Sequence, residues 1–153
     1  MLRITLAVSA VAIVALGLGV AAQQKPAAAG PKVTVYKTSS CGCCRLWVDH
    51  MKSNGFDVQA MDVSAADVRA VSKAAGLKDE DTSCHTAKIG TYVVEGHVPA
   101  DVIQKLLKEK PAVAGIAVAG MPMGSPGMEG SYSDRYDIVA FEKSGKQRVY
   151  ASR

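Results

Sequence analysis

The spacing of hydrophobic and polar positions changes period several times along this chain. Residues 33–36, Val-Thr-Val-Tyr, are β-branched and aromatic and predict a strand. Residues 37–40 follow as a loop, with Ser40 placed to cap the next element. From Cys43 or Cys44 to about Asn54, Leu46, Trp47, Val48 and Met51 mark one face of a helix that Asn54-Gly55 ends. Residues 56–63 predict a second strand with Phe56, Val58, Ala60 and Met61 inward. A second helix begins at Ser64 or Ala65 and runs to Ala75, with Val68, Val71 and Ala75 inward and Gly76 past its end.

The second half is less regular. Residues 77–88 read as a charged, irregular connector, residues 89–94 as a strand, and Glu95-Gly96-His97 as a turn. Residues 99–110 form a helix opened by Pro99 at its first turn and stopped before Pro111. A small apolar run, 115–120, leads into a loop over residues 120–128 marked by its glycines and prolines. Residues 136–141, Ser144-Gly145 and 147–150 predict a C-terminal β-hairpin.

The N-terminus follows a different rule. Met1-Leu2-Arg3 carries one positive charge, residues 4–22 carry none, and Val20-Ala21-Ala22 supplies small residues before Gln23. This is the pattern of a secretory signal peptide over residues 1–22, although the uncharged run is also long enough for an uncleaved membrane anchor. Residues 23–31 read as a short disordered Ala/Pro/Gly tether, which leaves residues 32–153 for one domain. Either outcome puts that domain outside the cytoplasm, in the periplasm on this reading. The formal charge of +4 is scattered and only 5% of residues are aromatic, so nucleic-acid binding has little support. Glycine-rich phosphate loops, nucleophile elbows and His-Glu-x-x-His patterns are absent from the sequence.

Candidate chemistry centres on Ser39-Ser40-Cys41-Gly42-Cys43-Cys44, which holds three of the four cysteines. Four cysteines are too few for a disulfide scaffold, and adjacent Cys43 and Cys44 bridge only through a strained ring. Thiolates are soft ligands for Cu(I), zinc and iron–sulfur centres, and also the nucleophiles of disulfide exchange. At the front of a helix, free N–H groups and the dipole favour thiolate over thiol. A strand, helix, strand order beside a thiol-bearing first loop is the start of a thioredoxin-like layout, an α/β fold with a mixed central sheet flanked by helices. An inserted segment and the C-terminal hairpin complete the expected architecture, with the strand order around the insertion open.

At Cys41-Gly42-Cys43-Cys44, Ser83-Cys84-His85-Thr86-Ala87, Glu95-Gly96-His97-Val98-Pro99, Gly120-Met121-Pro122 and Gly124-Ser125-Pro126-Gly127-Met128-Glu129, the chain resembles the CopG-type periplasmic metal-binding proteins. These are thioredoxin-like proteins often encoded beside copper-resistance systems. The resemblance spans about residues 32–153. It implies a thioredoxin-like fold, copper bound through Cys41, Cys43, Cys44 and Cys84, and a role in copper handling. The acidic connector Lys78-Asp79-Glu80-Asp81 departs from the proline-containing connector of that family.

More thiolates than one low-coordinate Cu(I) ion needs favour bridging sulfurs and a multinuclear cluster, with zinc in a Cys₄ site as the competing metal. Further candidates are His85 and His97, as ligands or supporting donors, and the thioethers of Met121, Met123 and Met128 as an entry or transfer site. His97, in a turn, is expected to be solvated. His50 lies about 9 Å along the helix from Cys44, too far to share ligation, and Trp47 is core packing. The expected function is an exported copper-binding protein that sequesters or transfers Cu(I), or cycles it to Cu(II), in copper resistance. Its partners are copper ions and other periplasmic copper-resistance proteins. Two alternatives stand beside it: a thiol-disulfide oxidoreductase using Cys41 and Cys44, and a structural zinc-binding interaction module.

Overall fold

A computed structural model describes residues 30–153. The expected signal segment 1–22 lies outside the described residues, as does most of the tether 23–31. At the tether's described end, the carbonyl of Pro31 accepts the Asp57 N–H at 3.1 Å. Among the described residues no helix is long and apolar enough to cross a membrane.

The expected mixed α/β architecture is present. Strands β1 (Lys32–Lys37), β2 (Asp57–Asp62), β3 (His85–Ile89), β4 (Tyr92–Glu95), β5 (Gly115–Ala117), β6 (Asp137–Phe141) and β7 (Gln147–Ser152) form one sheet in the order β2-β1-β3-β4-β5-β6-β7. Helices α1 (Gly42–Ser53), α2 (Ala65–Ala74) and α3 (Ala100–Glu109) connect β1 to β2, β2 towards β3, and β4 to β5. Pairs β1–β2 and β4–β5 are parallel, each with an intervening helix, while β1–β3, β3–β4, β5–β6 and β6–β7 are antiparallel. The C-terminal hairpin is therefore the antiparallel end of the sheet, joined through β5.

Local chemistry explains where several elements differ from the sequence pattern. The cap of α1 is Cys41, not Ser40: its Sγ accepts the Cys44 N–H at 3.2 Å, and the helix begins at Gly42 rather than at Cys43 or Cys44. The buried face is Cys44, Trp47, Val48 and Met51, the i, i+3, i+4, i+7 stripe, which leaves Leu46 53% exposed. Strand β2 is an edge strand covered on few sides, so Val58 is half-buried and Ala60 and Met61 are exposed, whereas Phe56 just before it is buried. The expected strand over 89–94 is two strands, β3 and β4, folded about Gly90-Thr91; Gly90 adopts φ +58°, as tight hairpins require. The connector thus ends at Cys84, and its acidic stretch closes as a 3-10 turn, Asp79–Asp81.

Trp47, Met51, Ile89, Ile103, Leu106, Ile116 and Ile138 are among the fully buried side chains of the main core, which α1 and α3 close. Two polar contacts fix these helices. The Trp47 indole N–H donates to Val98 O at 2.9 Å, and His50 Nε2 accepts the Ala100 N–H at 3.1 Å. His50 is thus a packed residue that caps the N-terminus of α3 from another helix, a place where backbone N–H groups lack partners.

Burial holds the pKa of His50 below the usual histidine value, against the opposing pull of Glu129 and Asp101. Its neutral form is the one that can accept the Ala100 N–H, so its contribution is complete above the unfolded pKa of about 6.5 and falls away as pH drops through the folded value. Denaturant unfolding of His50→Ala is expected to show a loss of about 0.5–2 kcal/mol at pH 8. The gap from the parent should narrow at pH 5; a loss that is independent of pH contradicts the capping role.

Candidate metal centre

The sheet brings the chemistry to one end. The C-terminal end of β1 (Lys37) lies opposite the N-terminal residue of β3 (His85), and Thr86 of β3 lies opposite Glu95 at the end of β4. Glu95 in turn pairs with Ala117 at the end of β5. The segments leaving these ends carry Cys41 to Cys44, Cys84, His97 and the loop from Gly120 onward.

Within the first turn of α1, Cys41 and Cys44 are joined as a disulfide with Cα atoms 5.4 Å apart, while Cys43 and Cys84 are free. The three-residue step around one helical turn places Cys41 and Cys44 side by side. Cys44 is fully buried and Cys43 lies on the open side. Cys43 Sγ is 3.6 Å from Cys41 Sγ and 3.8 Å from Cys84 Sγ, and the four sulfurs lie within 4.8 Å of one another. Two distant parts of the chain therefore deliver four sulfurs to one small volume. Reduced, this set fits a soft metal ion by its chemistry and by its convergence.

A second group overlaps the first at Cys84. His97 Nε2 is 3.2 Å from Cys84 Sγ, and His97 Nδ1 is 2.7 Å from Pro126 O. A carbonyl only accepts, so the proton sits on Nδ1 and the lone pair of Nε2 faces the thiol, the arrangement common in metal-ligating histidines. His97 is fully buried, contrary to the expectation of a solvated turn residue; the chain after β4 folds inward, under the loop that supplies Pro126. His85 Nδ1 lies 3.7 Å from the same sulfur, its ring packs tilted against Trp47 with centroids 4.4 Å apart, and its buried Nε2 has no partner among the described residues. Trp47 thus backs the site as well as the core.

Burial, then the neighbouring Cys43, pushes the Cys84 thiol up to about 12. Burial, then His97, pushes His85 down to about 3, and burial also lowers His97. Burial raises Glu95 to about 7 against hydrogen bonds from Thr86 and Ser83. Burial thus favours the uncharged forms of Cys84, His85 and His97 on the inner side of the site.

Met121 reaches the cluster: its Sδ is 3.7 Å from Cys43 Sγ, and its side of the site is open, with Met121 49% exposed. Met123 and Met128 make no such sulfur contact among the described residues. Their loop serves instead to seat Met121 and Pro126. Gly127, at φ +87°, lies so close to α1 that a Cβ would stand 2.7 Å from Cys43 O and 3.0 Å from Trp47 N. Sequence spacing had not singled out Glu95; a carboxylate beside the Gly-His turn was its one available signal.

Known proteins resemble this chain in sequence and in overall fold. A family described as "Protein of unknown function, DUF411" matches residues 82–128. Two solved structures, described as "Copper resistance protein copG- Form 1" and "Copper resistance protein copG- Form 2", share 41% and 42% identity with the chain, with TM-scores of 0.75 and 0.74. Each alignment covers 81% of this chain and 98% of the solved one. The chain belongs to the CopG copper resistance protein family. No curated protein sequence matches it.

Peptide-resolved alkylation tests the thiol arrangement. Without reductant, Cys43 and Cys84 should be modified while Cys41 and Cys44 are recovered as one disulfide-linked pair. After reduction and unfolding all four should react. A bridge between Cys43 and Cys84 in place of Cys41–Cys44 contradicts the geometry.

Proposed function

We propose that this is an exported, periplasmic copper-binding protein that holds Cu(I) among the sulfurs of Cys41, Cys43, Cys44 and Cys84 and serves copper resistance. The observation that carries the reading is the meeting of four sulfurs, three from the first turn of α1 and one from the start of β3, within 4.8 Å. Family membership supports copper as the ion, since the two similar structures are named for copper resistance. Four thiolates exceed what one low-coordinate Cu(I) ion needs, so the cargo is a multinuclear thiolate-bridged cluster. The β2-β1-β3-β4 half of the sheet, with its thiols at the start of α1, is read as a thioredoxin-like scaffold.

The protein's own residues prepare this cargo site. The Cys41–Cys44 disulfide must first accept two electrons and two protons from a periplasmic reductant, giving two thiols. Thiol ligands then release protons as they bind metal, so uptake strengthens as pH rises. His97, held by Pro126 O with Nε2 facing Cys84, and His85 add imidazole nitrogens beside the sulfurs. Such nitrogens tolerate Cu(II) better than an all-sulfur set does, which supports cycling between Cu(I) and Cu(II) as part of the role, each copper giving one electron to, or taking one from, a periplasmic redox partner. Met121 guards the open side, where a thioether suits Cu(I) entry or transfer to another copper-resistance protein.

The Cys41–Cys44 bridge itself favours a second reading, a thiol-disulfide oxidoreductase. That reading needs turnover dependent on Cys41 and Cys44 and indifferent to Cys84. An anaerobic titration of the reduced protein separates the readings. More than one Cu(I) per chain is expected, with affinity falling by on the order of tenfold or more in Cys84→Ser. One tightly bound zinc with no preference for Cu(I), the outcome of a structural zinc module, overturns the proposal. So does disulfide reductase turnover that survives Cys84→Ser in a protein with no copper affinity.

A further inference from the structure

We propose that Glu95 is a positioning residue for the Cys84 sulfur, its carboxyl gripping the chain on both sides of Cys84-His85. The inference rests on the reading of the four cysteines as one copper-holding set. Glu95 is fully buried and has no cationic partner within ion-pair distance among the described residues. An unpaired carboxyl inside a protein is costly unless hydrogen bonds compensate it, and here both oxygens are used. Oε1 accepts the Ser83 N–H at 2.7 Å and Oε2 accepts the Thr86 hydroxyl at 2.6 Å.

The two bonds differ in what they accomplish. Thr86 lies opposite Glu95 in the β3–β4 register, so that contact is an ordinary cross-strand pair. Ser83, by contrast, lies beyond the paired residues, where the chain has left the sheet to carry Cys84 towards α1. Its N–H has no strand to bond to, and the Glu95 side chain takes the place of the missing ladder partner. Two further contacts fix the same residue: the Ser83 hydroxyl donates to Gly120 O, and Gly96, at φ +70°, packs so closely that a Cβ would stand 2.8 Å from Ser83 Cβ. One residue on from this anchor, Cys84 Sγ sits 3.8 Å from Cys43 Sγ. The chain after Glu95 runs through Gly96 to His97, whose Nε2 meets the same sulfur. Glu95 therefore ties the β3 and β4 contributions into one unit, which a nonpolar residue of similar size could not do.

The test compares Glu95→Gln with Glu95→Met in otherwise intact protein. The glutamine carbonyl can still accept the Ser83 N–H, and its amide can donate to the Thr86 oxygen, whose hydroxyl proton can turn to Val68 O, 3.4 Å away. Methionine fills the space without accepting either bond. Folding of each variant is checked by circular dichroism and thermal melting. In anaerobic chelator competition, Glu95→Met is expected to weaken Cu(I) binding about tenfold or more, the usual effect of losing a group that orients a ligand. Glu95→Gln should stay within about twofold of the parent, and Glu95→Met should have no further effect in a Cys84→Ser background. In the reduced, metal-free protein, peptide-resolved alkylation of Cys84 should be several-fold faster in Glu95→Met than in Glu95→Gln, by about the factor that loss of an orienting contact produces. Cu(I) affinity in Glu95→Met within about twofold of the parent, or an equal loss with and without Cys84, overturns the positioning role. If the parent itself takes no Cu(I), the copper reading fails instead, and the alkylation rates alone decide on Glu95: equal rates overturn it.

Discussion

The antiparallel pairing of β3 against β1, with Lys37 opposite His85, is the constraint on which the site depends. It sets the residue before β3 beside the residues after β1, so Cys84 meets the first turn of α1. A slip of one residue would turn every β3 side chain to the other face and carry the sulfur away. The register is pinned by burial: Val33 and Val35 on β1 and Ala87 and Ile89 on β3 are all in the core. Hydrophobic packing in the middle of the sheet thus decides chemistry at its end.

Around that meeting point the chain stacks successive layers of support. Cys41 is both the cap of α1 and a member of the sulfur set, so helix formation and sulfur placement are one event. Trp47 spans core and site, hydrogen-bonded to Val98 and packed against the His85 ring. From β4 Glu95 holds Ser83, from the turn beyond it His97 reaches Cys84, and the Gly120–Met128 loop closes over α1 through Gly127 and Pro126. What is left open is the side of Cys43 and Met121.

Much of this was legible from the residues. The Cys41-Gly42-Cys43-Cys44 run and its helix could be read because helical spacing relates neighbours in sequence directly to neighbours in space. Features that depend on distant pairing were harder. The β3–β4 hairpin is hidden because most of β3, His85 to Lys88, carries no strand pattern and reads with the charged connector, and alternation in β2 cannot reveal that the strand is an edge. Leu46 falls inward only if Cys44 is left out of the helix face; as a buried core residue Cys44 sets the helix phase and turns Leu46 out. His97 was read as solvated because its burial depends on Pro126, 29 residues further on. Glu95 stands in a recognisable motif, but its role is hidden in the sequence because its partner Ser83 lies beyond the end of a strand.

The central claim, that four sulfurs from two parts of the chain hold copper together, is tested most directly by copper X-ray absorption on protein loaded without oxygen, compared with its Cys84→Ser variant. The account predicts a first shell dominated by sulfur with short copper–copper separations, and a loss of both on removing Cys84. A first shell of oxygen and nitrogen, or a spectrum that the substitution leaves unchanged, would contradict it.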